Sequence, residues 1–472
     1  MMPWLKTRLS QFLGIEDLRE RLMSIENTPT VYPKQNFTDT NLDTSATKTI
    51  LASLQKLTEG IITLDKRLSS YRSARFLSSV SEIYPKTKTV IFAGGSNFGD
   101  NVKYAYLSFL GEANKVGASC YYLPYNSSQY NQLKACGLPC LPDALSEYTP
   151  DDIRVCLGAK VLVLDNHFVP HNWKHHLPHS LLRGAKTIQL WHGIPIKEIG
   201  LETVATAKID DPNTVEIMAS CGPFDVFVAT SAVSQTEWAR KFSFNAFSTA
   251  GYPRNDVLLR DINASDKINV DTKTLALIEA ASKKKQPIVF YAPTFRDKSG
   301  GAWFFKAEIS KFADYCAKND YLFFVNMHPA EQETVASFRQ RYPEINFVEP
   351  YSDVYPLVKH ADVLVTDYSS LAFDFLLLDR PIVFYRPDHA DYIARSRHLI
   401  KNHDQYLCGE VTSALTELTK AIDIAVGVCT KADTDLYRSA RQSLRHRLFD
   451  YQDAFASRRL NDLIASLLDS AP

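Results

Sequence analysis

His192 and His328 each stand just after an apolar run that reads as a β-strand, in Leu190-Trp191-His192-Gly193-Ile194-Pro195 and Asn326-Met327-His328-Pro329. An imidazole titrates near neutrality, so a histidine there can take or hold a proton. Other strand-like runs end on polar groups too. Thr294 and Arg296 lie in Ala292-Pro293-Thr294-Phe295-Arg296-Asp297, and Arg254 and Asn255 lie in Gly251-Tyr252-Pro253-Arg254-Asn255-Asp256. Thr366-Asp367-Tyr368-Ser369-Ser370 places two hydroxyls ahead of an apolar helix, with Asp374 one turn in. A guanidinium can fork onto two phosphate oxygens. A helix N-terminus, with its unpaired N–H groups, favours an anion. Each residue also has a plain structural use. Ser369 and Ser370 can cap the helix, His192 can cap the helix after it, and Pro329 can pin His328. Arg296 can pair with Asp297 or Asp256, Asp256 can fix Arg254, and Asp374 can be an ordinary helix-face acid.

The elements that must position these residues alternate in type. Val363–Val365, the helix Leu371–Leu378 and Ile382–Tyr385 make a βαβ unit of a parallel sheet. Strand-like runs at Thr89–Ala93, Ser119–Leu123, Lys160–Leu164, Thr187–Trp191 and Val226–Ala229 alternate with helical segments, which reads as a doubly wound α/β domain. A last strand of that domain is expected at Ser248–Ala250. A second α/β run starts near Gln286, after a polar, helical connection at Asp261–Lys285. The expected division is a helical region at 1–80, α/β domains at 85–260 and 280–430, and helices at 433–472. In open parallel sheets, ligands sit beyond the carboxyl ends of the strands, where the polar residues above fall.

Composition narrows the partners. The 472 residues carry 53 Lys+Arg and 53 Asp+Glu, a balance that argues against bulk nucleic-acid binding. The eight cysteines form no CxxC pair and read as reduced thiols of a cytosolic protein. No apolar run reaches the length of a membrane span, and no signal peptide is recognised. Residues 1–14 can form a short amphipathic helix with Trp4, Leu9, Phe12 and Leu13, suited to a membrane surface or to the protein's own core. Apolar residues from Ile50 to Tyr71 alternate four and three apart, a heptad seam that can pair two copies or pack within one chain. His171, His175 and His179 are four apart, but Pro178 breaks a helix there and no acid or cysteine joins them, so no metal site is expected. A cationic surface around Trp173, near lipid phosphate, suits that stretch better.

The set QLWHGIPIKEIG, AGYPRNDVL, FYAPTFRD, NMHPAE and LVTDYSSLAFDFLLLDRPIVFY resembles the CDP-glycerol glycerophosphotransferase family, the teichoic acid primases and polymerases, in order and approximate spacing from about Lys88 to Leu463. One departure is Asp453-Ala454, where the family often has Asp-Gly. The resemblance implies a GT-B fold, with two Rossmann-like domains facing each other across a cleft and an N-terminal helical extension. It also implies transfer of a polyol phosphate from a CDP-activated donor to a hydroxyl of a lipid-linked acceptor, with release of CMP. The work is expected at the cytoplasmic face of the membrane, by a peripheral protein, on an anionic surface, as a single chain or a homo-oligomer. No cofactor or metal is expected.

Phosphoryl transfer is mostly positioning and charge stabilisation. His192 is the expected base, since the resemblance implies a catalytic histidine at this motif. His328, Thr294, Arg296, Ser369, Ser370 and Asp374 are expected on the donor and its phosphates. Asn97, Asp100, Asp165, Arg254 and Asn255 are expected on the acceptor or hinge side; Asn97, Asp100, Asn101, Lys103 and Asp165 can also simply cap helices. Glycerol and ribitol both remain open as the polyol, as do single-unit and repeated addition. A nucleotide-sugar glycosyltransferase or epimerase, and a non-catalytic membrane scaffold, are the rival readings.

Overall fold

The computed structural model describes residues 74–166, 177–204, 220–296, 308–328, 331–395, 398–430 and 435–470. The helix expected at 1–14, the seam at 50–71, His171, Trp173, His175, Asp297 and Pro329 lie outside them. Residues 67–472 form one compact unit.

Twelve strands among the described residues make two six-stranded parallel sheets. The first contains β1 (Thr87–Ala93), β2 (Ser119–Leu123), β3 (Ala159–Leu164), β4 (Lys186–Gln189), β5 (Phe224–Val228) and β6 (Phe244–Ser248), in the order β2-β1-β3-β4-β5-β6. The second contains β7 (Ile288–Ala292), β8 (Leu322–Val325), β9 (Asn346–Phe347), β10 (Val363–Thr366), β11 (Ile382–Tyr385) and β12 (Glu410–Thr412), in the order β12-β11-β10-β7-β8-β9. Central strands such as β7 and β10 are buried along their whole length, which is why they read as unbroken apolar runs. Edge strands gave weaker signals. The last strand of the first sheet lies at Phe244–Ser248 rather than at 248–250, because its half-exposed residues show no apolar run. β12, three residues long with two exposed, was not foreseen.

Both sheets reverse direction of winding near the centre, between β1 and β3 and between β7 and β10. Crevices form at such switch points. Helix α1 (Asp100–Glu112) follows the first, and the short helix α3 (Leu371–Phe375), which tightens into a 3-10 turn at Leu376–Leu378, follows the second.

The connection between the sheets is part of the second domain. Helix α2 (Thr272–Lys284) is capped by Asp271, whose Oδ1 accepts from the N–H groups of Lys273 and Thr274. Its Leu275 and Ile278 join the core of Ile288 and Phe290. The C-terminal helices also do not form a segment of their own. Leu444 and Leu448 of α4 (Arg438–Leu448) pack into the second domain. Leu460, Ile464 and Leu468 of α5 (Ala456–Asp469) pack into the first, against Val90 and Phe92. Asp256 serves this return crossing. Its carboxylate accepts from the N–H groups of Ala456 and Ser457, both at 2.9 Å, so it caps α5 and does not hold Arg254.

Candidate active site

A cavity of about 760 Å³ lies between the carboxyl ends of the two sheets. Asn97, Asp100, Asp165, His192 and Arg254 line it from the first domain, and Thr294, His328, Ser369 and Ser370 from the second. Asn255, Arg296 and Asp374, also expected there, are buried outside its lining.

The turn carrying His192 is unusually constrained. Trp191 has φ 53° and Gly193 φ 134°. A positive φ at a bulky residue is an outlier that its surroundings must hold. Here the Trp191 N–H donates to Gln189 Oε1, and its carbonyl accepts from Asn101 Nδ2, each at 2.8 Å. The His192 ring stacks on Trp191, centroids 4.1 Å apart, and remains exposed to the cavity. Its Nδ1 faces the Asp165 carbonyl at 3.3 Å. A carbonyl only accepts, so this contact favours the tautomer with hydrogen on Nδ1 and the lone pair on Nε2.

Gly193 fits the opposite wall. A Cβ there would lie 2.6 Å from Ser370 Oγ and 3.0 Å from an Arg254 Nη atom. The His192 turn and the Ser369-Ser370 turn are therefore in close contact across the cleft. Ser369 Oγ accepts from the Leu371 N–H at 3.3 Å, so Ser369 caps α3 while still lining the cavity. Two main-chain bonds also join the domains: Glu198 N–H to the His398 carbonyl and Ile400 N–H to the Ile196 carbonyl, both 2.9 Å.

Three expected residues have other work. Asp374 is not presented to a ligand: it accepts from Arg254 Nη2 and from the Tyr355 hydroxyl, both at 2.7 Å. Arg296 does not offer its fork to a phosphate, because that fork is already occupied. Its Nη2 donates to Asp367 at 2.7 Å, and its Nε donates to Asp388 at 2.8 Å. Asp256 is not its partner, and Asp388 lies 92 residues away in sequence. Asn255 is buried, and its Oδ1 has no partner among the described residues.

Electrostatics separate the acids. Burial first, and then the charge of Asp100, push the Asp165 carboxyl well above the usual carboxylate range. Burial acts upward on Asp367 as well, but the Arg296 guanidinium and hydrogen bonds from Thr294 and Tyr368 outweigh it and hold Asp367 below that range. Glu331, three residues after His328, is pushed by burial up to about 7. Lys103 is fully enclosed and donates to Asp353 at 2.6 Å and to the carbonyls of Asp266 and Ile268, so it ties α1 to the second domain and caps nothing. Among the described residues no group of three or more His, Cys, Asp or Glu is placed to hold a metal ion.

Several cavity residues were missed by the sequence reading: Ser96, Asn166, Phe295, Asn326, Tyr351 and Ser352. Most directly follow strands whose ends were recognised. Tyr351 lies four residues beyond the end of β9.

Two Rossmann-like sheets with one cavity between their switch points define a GT-B architecture, the class of many group transferases. Residues 77–466 match the family described as CDP-Glycerol:Poly(glycerophosphate) glycerophosphotransferase, and the chain belongs to that family. It is 29% identical over 276 residues to a teichoic acid glycerol-phosphate transferase of Staphylococcus aureus, covering 55% of this chain and 69% of that protein. It is 27% identical over 262 residues to a teichoic acid glycerol-phosphate primase of Bacillus subtilis, covering 53% and 61%. A structure of the wall teichoic acid polymerase TagF superposes with a TM-score of 0.64 at 20% identity, over 89% of this chain and 97% of the other, and shows the shared fold. Among the described residues no helix is long and apolar enough to cross a membrane.

Proposed function

We propose that this protein transfers glycerol phosphate from CDP-glycerol to a hydroxyl of a lipid-linked acceptor, releasing CMP, in the synthesis of a teichoic-acid-like or capsular surface polymer. The observation that carries this reading is the apposition of the His192 turn to the Ser369-Ser370 turn across one cavity, in a chain of this family. The acceptor oxygen attacks the phosphorus that bears the glycerol. A new P–O bond forms, the bond to CMP breaks, and the acceptor proton passes to Nε2 of His192. The stacked Trp191 and the Asp165 carbonyl fix the orientation of the ring for that step.

On the donor side, Thr294, His328 and Ser370 face the cavity and serve as hydrogen-bonding groups for the pyrophosphate. The Thr294 hydroxyl is buried at the cavity wall beside Asp367. Arg296 acts behind them, fixing Asp367, whose Oδ1 accepts from the Thr294 N–H at 2.9 Å. Asn97, Asp100 and Asp165 belong to the acceptor side. The reading calls on no cofactor or metal, and it places the protein at the cytoplasmic face of the membrane, on an anionic surface, as a single chain or a homo-oligomer. A donor screen tests it: CDP-glycerol, or CDP-ribitol as the second choice, should be consumed with release of CMP, and UDP-sugars should not. Turnover of a nucleotide sugar alone would reject it.

A further inference from the structure

The donor's base has no assigned place, and the cavity walls narrow the choice. Six aromatic residues line the cavity: Trp191, Phe295, Tyr351, Tyr355, Tyr368 and Tyr392. Four of them are buried with a ring face already covered. Trp191 lies against His192 and Phe242, Tyr355 against the Arg254 guanidinium, and Tyr368 against Tyr392 in a parallel stack 3.9 Å apart. Phe295 faces the His328 ring at 5.3 Å. Tyr351 is half-buried like Phe295, but among the described residues its ring shows no contact with another ring or a cation.

The position of Tyr351 fits a base. It follows β9, and the strand order places β9 two strands beyond β7, whose end carries Thr294. Neighbouring strands are about 4.8 Å apart, so two spacings come to about 10 Å, a separation that a ribose bridges between a phosphate and its base. Asn326, on the adjacent end of β8, lines the same stretch. On the other flank, beyond β10, the Tyr368–Tyr392 stack has already closed its faces.

The loop is also held in an unusual shape. Tyr351 has φ 65°, a conformation that costs energy in a non-glycine residue and persists where the surroundings impose it. Asn269 imposes it. Its Nδ2 donates to the Tyr351 carbonyl at 2.7 Å and to the Phe98 carbonyl of the first domain at 2.8 Å, and its own carbonyl accepts from the Asp353 N–H at 2.7 Å. The backbone is thus fixed without help from the tyrosine side chain, which leaves the ring available.

We propose that the Tyr351 ring is the platform on which the pyrimidine base of the nucleotide donor stacks, with the Asn326 amide beside it. This rests on the donor reading above and specifies its base site. Calorimetric titration of the full chain with CMP and, separately, with inorganic pyrophosphate tests it in wild type, Tyr351→Ala and Tyr351→Phe. Tyr351→Ala should weaken CMP binding about five- to 150-fold, the range that loss of base–aromatic stacking gives. Tyr351→Phe should bind CMP nearly as wild type does, and pyrophosphate should bind all three alike. Wild-type CMP affinity in Tyr351→Ala, or an equal loss for CMP and pyrophosphate, would overturn the platform and leave the donor reading standing. A wild-type protein that binds no CMP would instead overturn the donor reading, and the platform with it.

Discussion

Arg254 and Asp374 meet across the cleft at 2.7 Å, with side chains 2% and 1% exposed. Arg254 also pairs with Asp100 at the start of α1, and Asp374 takes the Tyr355 hydroxyl. One guanidinium thus locks the acceptor-side turn to the donor-side helix. Removing one member of a buried ion pair leaves the other uncompensated and costs about 3–5 kcal/mol. Asp374→Ala should lower stability by about that amount in chemical denaturation, and Asp374→Asn, which keeps an acceptor for Tyr355, should lose less. Unchanged unfolding of the alanine variant would show that the pair is not a lock.

Arg296 holds two carboxylates, the buried Asp367 and the partly buried Asp388. Asp367 has a folded pKa below its unfolded value, so its contribution to stability is present above the unfolded pKa and lost as pH falls through the folded one. Without the guanidinium, burial meets less opposition and the folded pKa of Asp367 rises. Arg296→Ala should therefore be most destabilised relative to wild type near neutral pH, with the gap narrowing below about pH 4. A gap independent of pH, measured by urea denaturation at several pH values, would contradict this assignment.

Glu331 behaves oppositely. Burial raises its folded pKa to about 7, so the folded state binds more protons than the unfolded state between the ordinary glutamate range and neutrality. Stability should fall across that window as pH rises. Glu331→Gln removes the titrating group and should flatten that part of the profile, with its relative gain largest above pH 7. Thermal unfolding from pH 5 to pH 8 reads this directly, and parallel profiles for the two proteins would refute it.

How far the sequence foretold the site depends on the range of each contact. The buried strands β1, β7 and β10 were legible because parallel strands covered on both faces are apolar throughout. The polar turns after them were legible for the same reason, since they interrupt those runs. His192, His328, Thr294 and Ser370 were reached in this way. The partners of Arg254 and Arg296 were not, because Asp374 and Asp388 lie 120 and 92 residues away and nothing local distinguishes them from surface acids. The return of α5 to the first domain escaped notice because its apolar stripe fits any core.

The central claim is that His192 takes the acceptor proton while the second domain holds the CDP donor. The most direct measurement follows CMP release and product mass with CDP-glycerol and a synthetic lipid-linked acceptor, for wild type and His192→Ala, alongside donor binding by calorimetry. Wild type should release one CMP per glycerol phosphate added. In the variant, turnover should fall about 10²–10⁴-fold with donor affinity nearly unchanged. Wild-type turnover by His192→Ala, or transfer of anything other than the polyol phosphate, would contradict it.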